Sequence, residues 1–167
     1  LPARDSSRKP QWLRGETRNV VRAIVDPERS RLVTVSKNTI RFWPLEGPPQ
    51  PSNVFTYPVQ RVASALSIDP SGRRVAAAFA GRVFVHGLDG ESNPRSLDHP
   101  TAVADVRFAP APSRELATAC GDGAARIWDA EQPKQKPRRF DHGSGLRAVR
   151  WAAAGQVLVT TSAARVR

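Results

Sequence analysis

His99, Thr118 and Asp122 fall in one short stretch of this chain. Imidazole, hydroxyl and carboxylate are the three groups that a nucleophilic acyl transfer assembles. Cys120, the only thiol, lies among them. Other chemistries find less to work with. The sequence has no G-x-x-x-x-G-K-[ST] phosphate loop and no G-x-G-x-x-G turn. Its three histidines, His86, His99 and His142, are too scattered to form a metal-ligand pair, and Cys120 has no second cysteine with which to hold zinc. No cofactor and no metal are therefore expected. Whether the His99 group is catalytic depends on the elements that carry it.

Those elements are short strands. "ATACGDGAARIWD", Ala117 to Asp129, is an apolar strand, a tight turn at Gly121-Asp122-Gly123 and a second strand ending on Trp128-Asp129. The plan recurs in "AIVDPERSRLVTV", "LSIDPSGRRVAAA", "VRFAPAPSRELATA" and "VRWAAAGQVLVTT". Aligned on Val25, Ile68, Phe108 and Trp151, the spacings are 43, 40 and 43 residues. A period of this length with several strands per unit is that of β-propeller blades. Each unit reads as a first strand such as Ala102–Phe108, a turn rich in Pro, Ser, Gly and Asp, and a second strand such as Arg31–Ser36 or Glu115–Cys120. A third strand follows, at Thr39–Trp43, Arg82–His86 or Ala124–Trp128. The fourth, near Val54–Tyr57, Arg95–Asp98 and Pro137–Asp141, is the most polar and is expected at the outer edge. Ala76, Ala77, Ala78, Ala117 and Ala119 suit crowded faces between sheets.

On these residues the chain resembles the WD-repeat (WD40) family, over roughly residues 17 to 167. The resemblance implies an all-β propeller with about four blades present, the last incomplete. It also implies a blade-internal polar network of His99, Thr118, Asp122 and Trp128, which makes the set structural rather than catalytic and Cys120 a buried filler. In the fourth unit His142 and Thr160 take the same positions, with Ala163-Ala164 in place of the turn acid. In the first unit Thr34, Asn38 and Trp43 remain, with Glu16 where the histidine would be, and the second unit keeps only Val59, Ala77 and Val85-His86. The expected divisions are an arm or outer strand at 1–16, blades at 17–57, 58–98 and 99–141, and a partial blade at 142–167. The chain stops inside the third strand of that last unit, begins on Leu1 and has no methionine. A partial or processed chain is expected, part of a longer ring of about seven blades.

Composition sets the class of partner. At 40% hydrophobic and 25% charged residues, the chain is ordinarily globular. No apolar run approaches the roughly 18 residues of a membrane helix, and no signal segment opens it. A single cysteine suits an intracellular setting, cytoplasmic or nuclear. The net charge is +11. Arg4, Arg8, Lys9, Arg14 and Arg18 crowd the N-terminal arm, Lys134, Lys136, Arg138 and Arg139 form a candidate anion or partner patch, and Arg147, Arg150, Arg165 and Arg167 follow. The expected function is a non-catalytic scaffold joining other protein subunits of a complex. The alternative is a basic propeller that binds DNA or RNA. The run from "FVHGLDGE" to "ELATACGDGAARIWD" resembles the WD-repeat subunit that recognises damaged DNA in ubiquitin-ligase complexes, and a ribonucleoprotein component is the other variant. The arginine through which such propellers dock on a ligase adaptor is replaced here by Glu131.

Overall fold

A computed structural model describes residues 20–48, 50–88, 93–132 and 134–162. The arm at 1–16 with Trp12, Arg18, residues Ala163 and Ala164, and Arg165 and Arg167 of the basic clusters lie outside the described residues.

The described chain folds as strands joined by turns, with one 3-10 turn at Ala153–Gly155. Strands β1 (Arg22–Asp26), β2 (Arg31–Ser36), β3 (Thr39–Pro44) and β4 (Asn53–Thr56) form the first antiparallel sheet in sequence order. The second sheet is β5 (Ala63–Ile68), β6 (Arg74–Phe79), β7 (Arg82–Gly87) and β8 (Arg95–Asp98). The third is β9 (Val103–Phe108), β10 (Glu115–Cys120), β11 (Ala124–Asp129) and β12 (Arg138–Asp141). Strands β13 (Leu146–Ala152) and β14 (Val157–Ser162) pair as the fourth. Successive antiparallel sheets of this kind are the architecture of β-propeller blades, and the four sheets do not close into a ring among the described residues.

Alternation along each strand decides which sheet a side chain meets. In the third sheet Val106, Leu116 and Trp128 face the second sheet and pack with Ala76, Ala78, Val83, Val85 and Leu97. Ala117, Ala119 and Ala125 face the other way and meet Leu146 and Val149. Between the first and second sheets Val33, Val35, Ile40 and Phe42 pack against Leu66, Val75, Ala77 and Phe79. The alanines let the sheets approach closely, and Ala76, Ala77, Ala78, Ala117 and Ala119 are all fully buried. The outermost strands differ. All four residues of β12 are exposed.

The first strands of neighbouring sheets are stitched together by side chains. Ser64 donates to the Val103 carbonyl at 2.6 Å, and the Phe108 N–H donates to Ser67 Oγ at 3.1 Å. Arg107 reaches back to the Leu66 carbonyl at 3.1 Å, and the Trp151 indole N–H donates to the Arg107 carbonyl at 3.1 Å. Asp105 accepts the Val149 N–H at 3.2 Å and pairs with Arg150. First strands do not pair with one another as a ladder, so these bonds satisfy backbone groups that would otherwise be buried unmet.

Candidate functional site

The polar set of the third sheet is built by register. Thr118 on β10 stands directly opposite Arg126 on β11, and Leu116 stands opposite Trp128. Thr118, Arg126 and Trp128 therefore project from one face, toward the second sheet. The turn between the strands has three residues, Gly121-Asp122-Gly123, with Gly123 at φ +81°. The Ala124 N–H donates to Asp122 Oδ1 at 3.1 Å, which folds the carboxylate back over the strand. His99 arrives from the connection before β9, where its backbone N–H donates to the Gly81 carbonyl at 2.8 Å.

The hydrogen bonds define a relay. Trp128 Nε1–H donates to Thr118 Oγ1 at 3.2 Å. Thr118 Oγ1 lies 2.9 Å from His99 Nε2, and His99 Nδ1 lies 3.2 Å from the Leu97 carbonyl. A carbonyl only accepts, so Nδ1 carries the proton and the bare Nε2 accepts from the threonine hydroxyl. The rings of His99 and Trp128 also touch, with centroids 5.1 Å apart. Burial lowers the His99 pKa to about 4, against the pull of Asp122 and Asp98 in the opposite direction. The imidazole is thus neutral at ordinary pH. Thr118 is wholly buried, and Trp128 is 7% exposed.

Asp122 makes a different bond from the one the resemblance implies. Its carboxylate is held by Arg126, with NH1 on Oδ1 at 3.1 Å and NH2 on Oδ2 at 2.5 Å. That bond holds its pKa well below the usual carboxylate range and raises that of Arg126. Asp122 reaches His99 only through its field. Arg126 went unremarked in the sequence. The signal for it was its register position opposite Thr118, four residues after the turn acid.

The other units carry fragments. In the first sheet Trp43 Nε1–H donates to Thr34 Oγ1 at 2.9 Å, and Thr34 stands opposite Arg41 as Thr118 does opposite Arg126. Asn38 uses its amide to donate to the Tyr57 carbonyl at 2.7 Å. In the fourth sheet Thr160 stands opposite Val149. His142 is not joined to it, and both of its ring nitrogens are buried without a hydrogen-bond partner. In the second sheet His86 takes the place of the tryptophan and packs on Phe55, with ring centroids 3.9 Å apart. Cys120 is buried, with Sγ 3.1 Å from the Thr101 hydroxyl.

The charged patch is partly spent. Arg138 pairs with Glu115, and Arg139 pairs with Asp141 at 2.6 Å. Lys134 and Lys136 are exposed without ion pairs among the described residues. No group of three or more His, Cys, Asp or Glu side chains that could hold a metal occurs among the described residues. No described helix is long and apolar enough to cross a membrane.

Residues 92–129 match the family model for the WD domain, G-beta repeat. The match covers the turn acid, the buried threonine and the closing Trp128-Asp129. No curated protein matches the chain.

Proposed function

We propose that this chain, with a WD repeat at 92–129 and propeller-type sheets around it, is a non-catalytic scaffold for other protein subunits of a larger assembly. Each sheet then counts as one blade, divided at 17–57, 58–98, 99–141 and 142–167. WD40 domains in general are interaction modules rather than enzymes, and rigid blades present their connecting turns to partners. One observation carries the reading. Among the described residues, the histidine and threonine that could form a catalytic set, His99 and Thr118, join Trp128 at an inter-sheet core. Their nitrogens and hydroxyl are committed to one another and to Leu97, and Thr118 has no exposed surface. The hydroxyl that would have to act as nucleophile is buried and already bonded to His99 and Trp128.

Charge favours protein partners over nucleic acid, because two of the four patch cations are already neutralised by Glu115 and Asp141. Isolation of the native assembly, with and without nuclease, tests this. Protein subunits that stay bound after nuclease treatment and in moderate salt support the scaffold. Loss of every partner on nuclease treatment, with nucleic acid recovered beforehand, contradicts it.

A further inference from the structure

The sequence contains Asp-Pro-x-x-x-Arg twice, at Asp26 to Arg31 and at Asp69 to Arg74. Both copies span the turn between the first two strands of a sheet, and the following sheet's equivalent turn lies beside each. The two junctions differ. In the first, Arg31 Nε donates to Asp26 Oδ2 at 2.8 Å, and its NH2 crosses to the Gly72 carbonyl of the next sheet at 2.5 Å. Gly72 is packed so tightly there that a Cβ would sit 2.7 Å from Asp26 Oδ2. A cavity of about 310 Å³ lies beside this junction, but Arg31 is satisfied across it.

At the second junction the arginine is not satisfied in this way. Arg74 Nε is 3.4 Å from Asp69 Oδ2, and its guanidinium lies over the Phe108 ring at 5.5 Å. Its NH1 finds no carbonyl across the gap. It is buried without a hydrogen bond, with Glu131 Oε1 at 3.7 Å. The facing turn explains the difference. Val25 pairs with Leu32 and Ile68 with Val75, but Phe108 pairs with Leu116, so the third sheet's turn is one residue longer. A cavity of about 400 Å³ remains, lined by Arg73, Arg74, Arg114, Ser113, Asp69 and Glu131 among others. Arg114 pairs with Glu131 at 2.5 Å and is itself 64% exposed at the rim. Arg74 and Arg114 thus share Glu131, and the innermost cation, Arg74, has a donor to place. A buried donor left unmet costs about 1–3 kcal/mol, which an acceptor from outside would recover.

We propose that this notch between the second and third sheets receives a carboxylate of a partner protein, an Asp or Glu side chain held by Arg74 with Arg114 at the rim. The proposal rests on the scaffold reading and names one place where a subunit docks. The carboxylate would take the position on Arg74 NH1 that the Gly72 carbonyl takes on Arg31. Phe108 holds the guanidinium plane, so the site is formed before the ligand arrives.

Fluorescence anisotropy of a labelled triglutamate peptide, titrated with the 167-residue chain, tests the notch. Binding is expected, and a triglutamine peptide of the same length is expected not to bind. Arg74→Gln should weaken binding by about tenfold. Glu131→Gln removes the competing acid from both arginines and should tighten it severalfold, a gain that should persist in an Arg114→Gln background, where only Arg74 is left to give it. If Arg74→Gln fails to fold, the Glu131→Gln gain decides. Equal binding of triglutamine, no change in Glu131→Gln, or inorganic phosphate competing better than unlabelled peptide would each overturn the proposal. The assembly isolated after nuclease treatment separates the two claims. Protein partners retained while triglutamate fails to bind sinks the notch and leaves the scaffold. Triglutamate bound through Arg74 with no protein partner leaves the notch and sinks the scaffold.

Discussion

Arg126 grips Asp122 with two parallel hydrogen bonds, at 3.1 and 2.5 Å, across the turn that joins β10 to β11. The guanidinium is 7% exposed and the carboxylate 14%. Removing one partner leaves the other charge stranded near the core, and such losses run to about 3–5 kcal/mol. Asp122→Ala and Arg126→Met are each expected to destabilise by roughly 3 kcal/mol. The double variant should recover a large part of that loss. Urea unfolding of the four proteins measures the coupling, and strictly additive losses would show that the Asp122–Arg126 pair contributes nothing as a pair.

Thr118 is the shared atom of the relay. Thr118→Val keeps the volume but leaves the Trp128 N–H and the bare His99 nitrogen unmet, at an expected cost of about 2–3 kcal/mol. Thr118→Ser keeps the hydroxyl and should cost about 1 kcal/mol for the lost methyl. A denaturation series in which Ser is no better than Val would show that the hydroxyl contributes nothing.

The strands were legible because short apolar runs alternate with Pro, Gly and Asp turns. The expected Arg31–Ser36, Glu115–Cys120 and Arg95–Asp98 coincide with β2, β10 and β8. Strand ends elsewhere shift by a residue, as at Asp129 and Gly87, because ladders continue while backbone partners last. The pairing of Thr118 with Trp128 was visible through the resemblance. Arg126 was not, since its meaning comes from register across a hairpin. Asp105, Arg107 and Arg150 were also opaque: their bonds join different sheets, more than 40 residues apart in places. The patch of four cations read as free charge, but Glu115 comes beside Arg138 only when β10 and β12 both pair with β11, and Asp141 lies two residues from Arg139 on β12 itself.

Gly72 should resist substitution. It has φ +66°, and an added Cβ would meet Asp26 Oδ2 at 2.7 Å. Gly72→Ala combines left-handed strain with that clash and is expected to cost about 2–3 kcal/mol. A thermal melt checks it, and an unchanged midpoint would mean that the first junction is looser than described.

Duplex DNA should find little purchase on the β12 patch. With Arg138 and Arg139 paired, Lys134 and Lys136 supply about two phosphate contacts, for a slope of log affinity against log salt near −1.8. Reversing both lysines to Glu should abolish that slope. A slope near −4 from this patch would show that DNA displaces Glu115 and Asp141.

His99 links stability to pH. Its folded pKa is lowered to about 4 from an ordinary 6.5, so between those values the unfolded chain binds a proton that the folded one refuses. Stability from this group is complete above pH 6.5 and is lost as pH falls toward about 4. The full loss is about 3 kcal/mol. His99→Gln should flatten this part of the stability profile, and an unaltered profile in that variant would assign the slope to other groups.

The direct test of a structural rather than catalytic His99 is its imidazole nitrogen spectrum as a function of pH. A neutral ring protonated on Nδ1, with Nε2 accepting from Thr118 and no titration until about pH 4, is the expected result. A ring that titrates near the ordinary 6.5, or that carries its proton on Nε2, would contradict it and reopen the group to solvent and to chemistry.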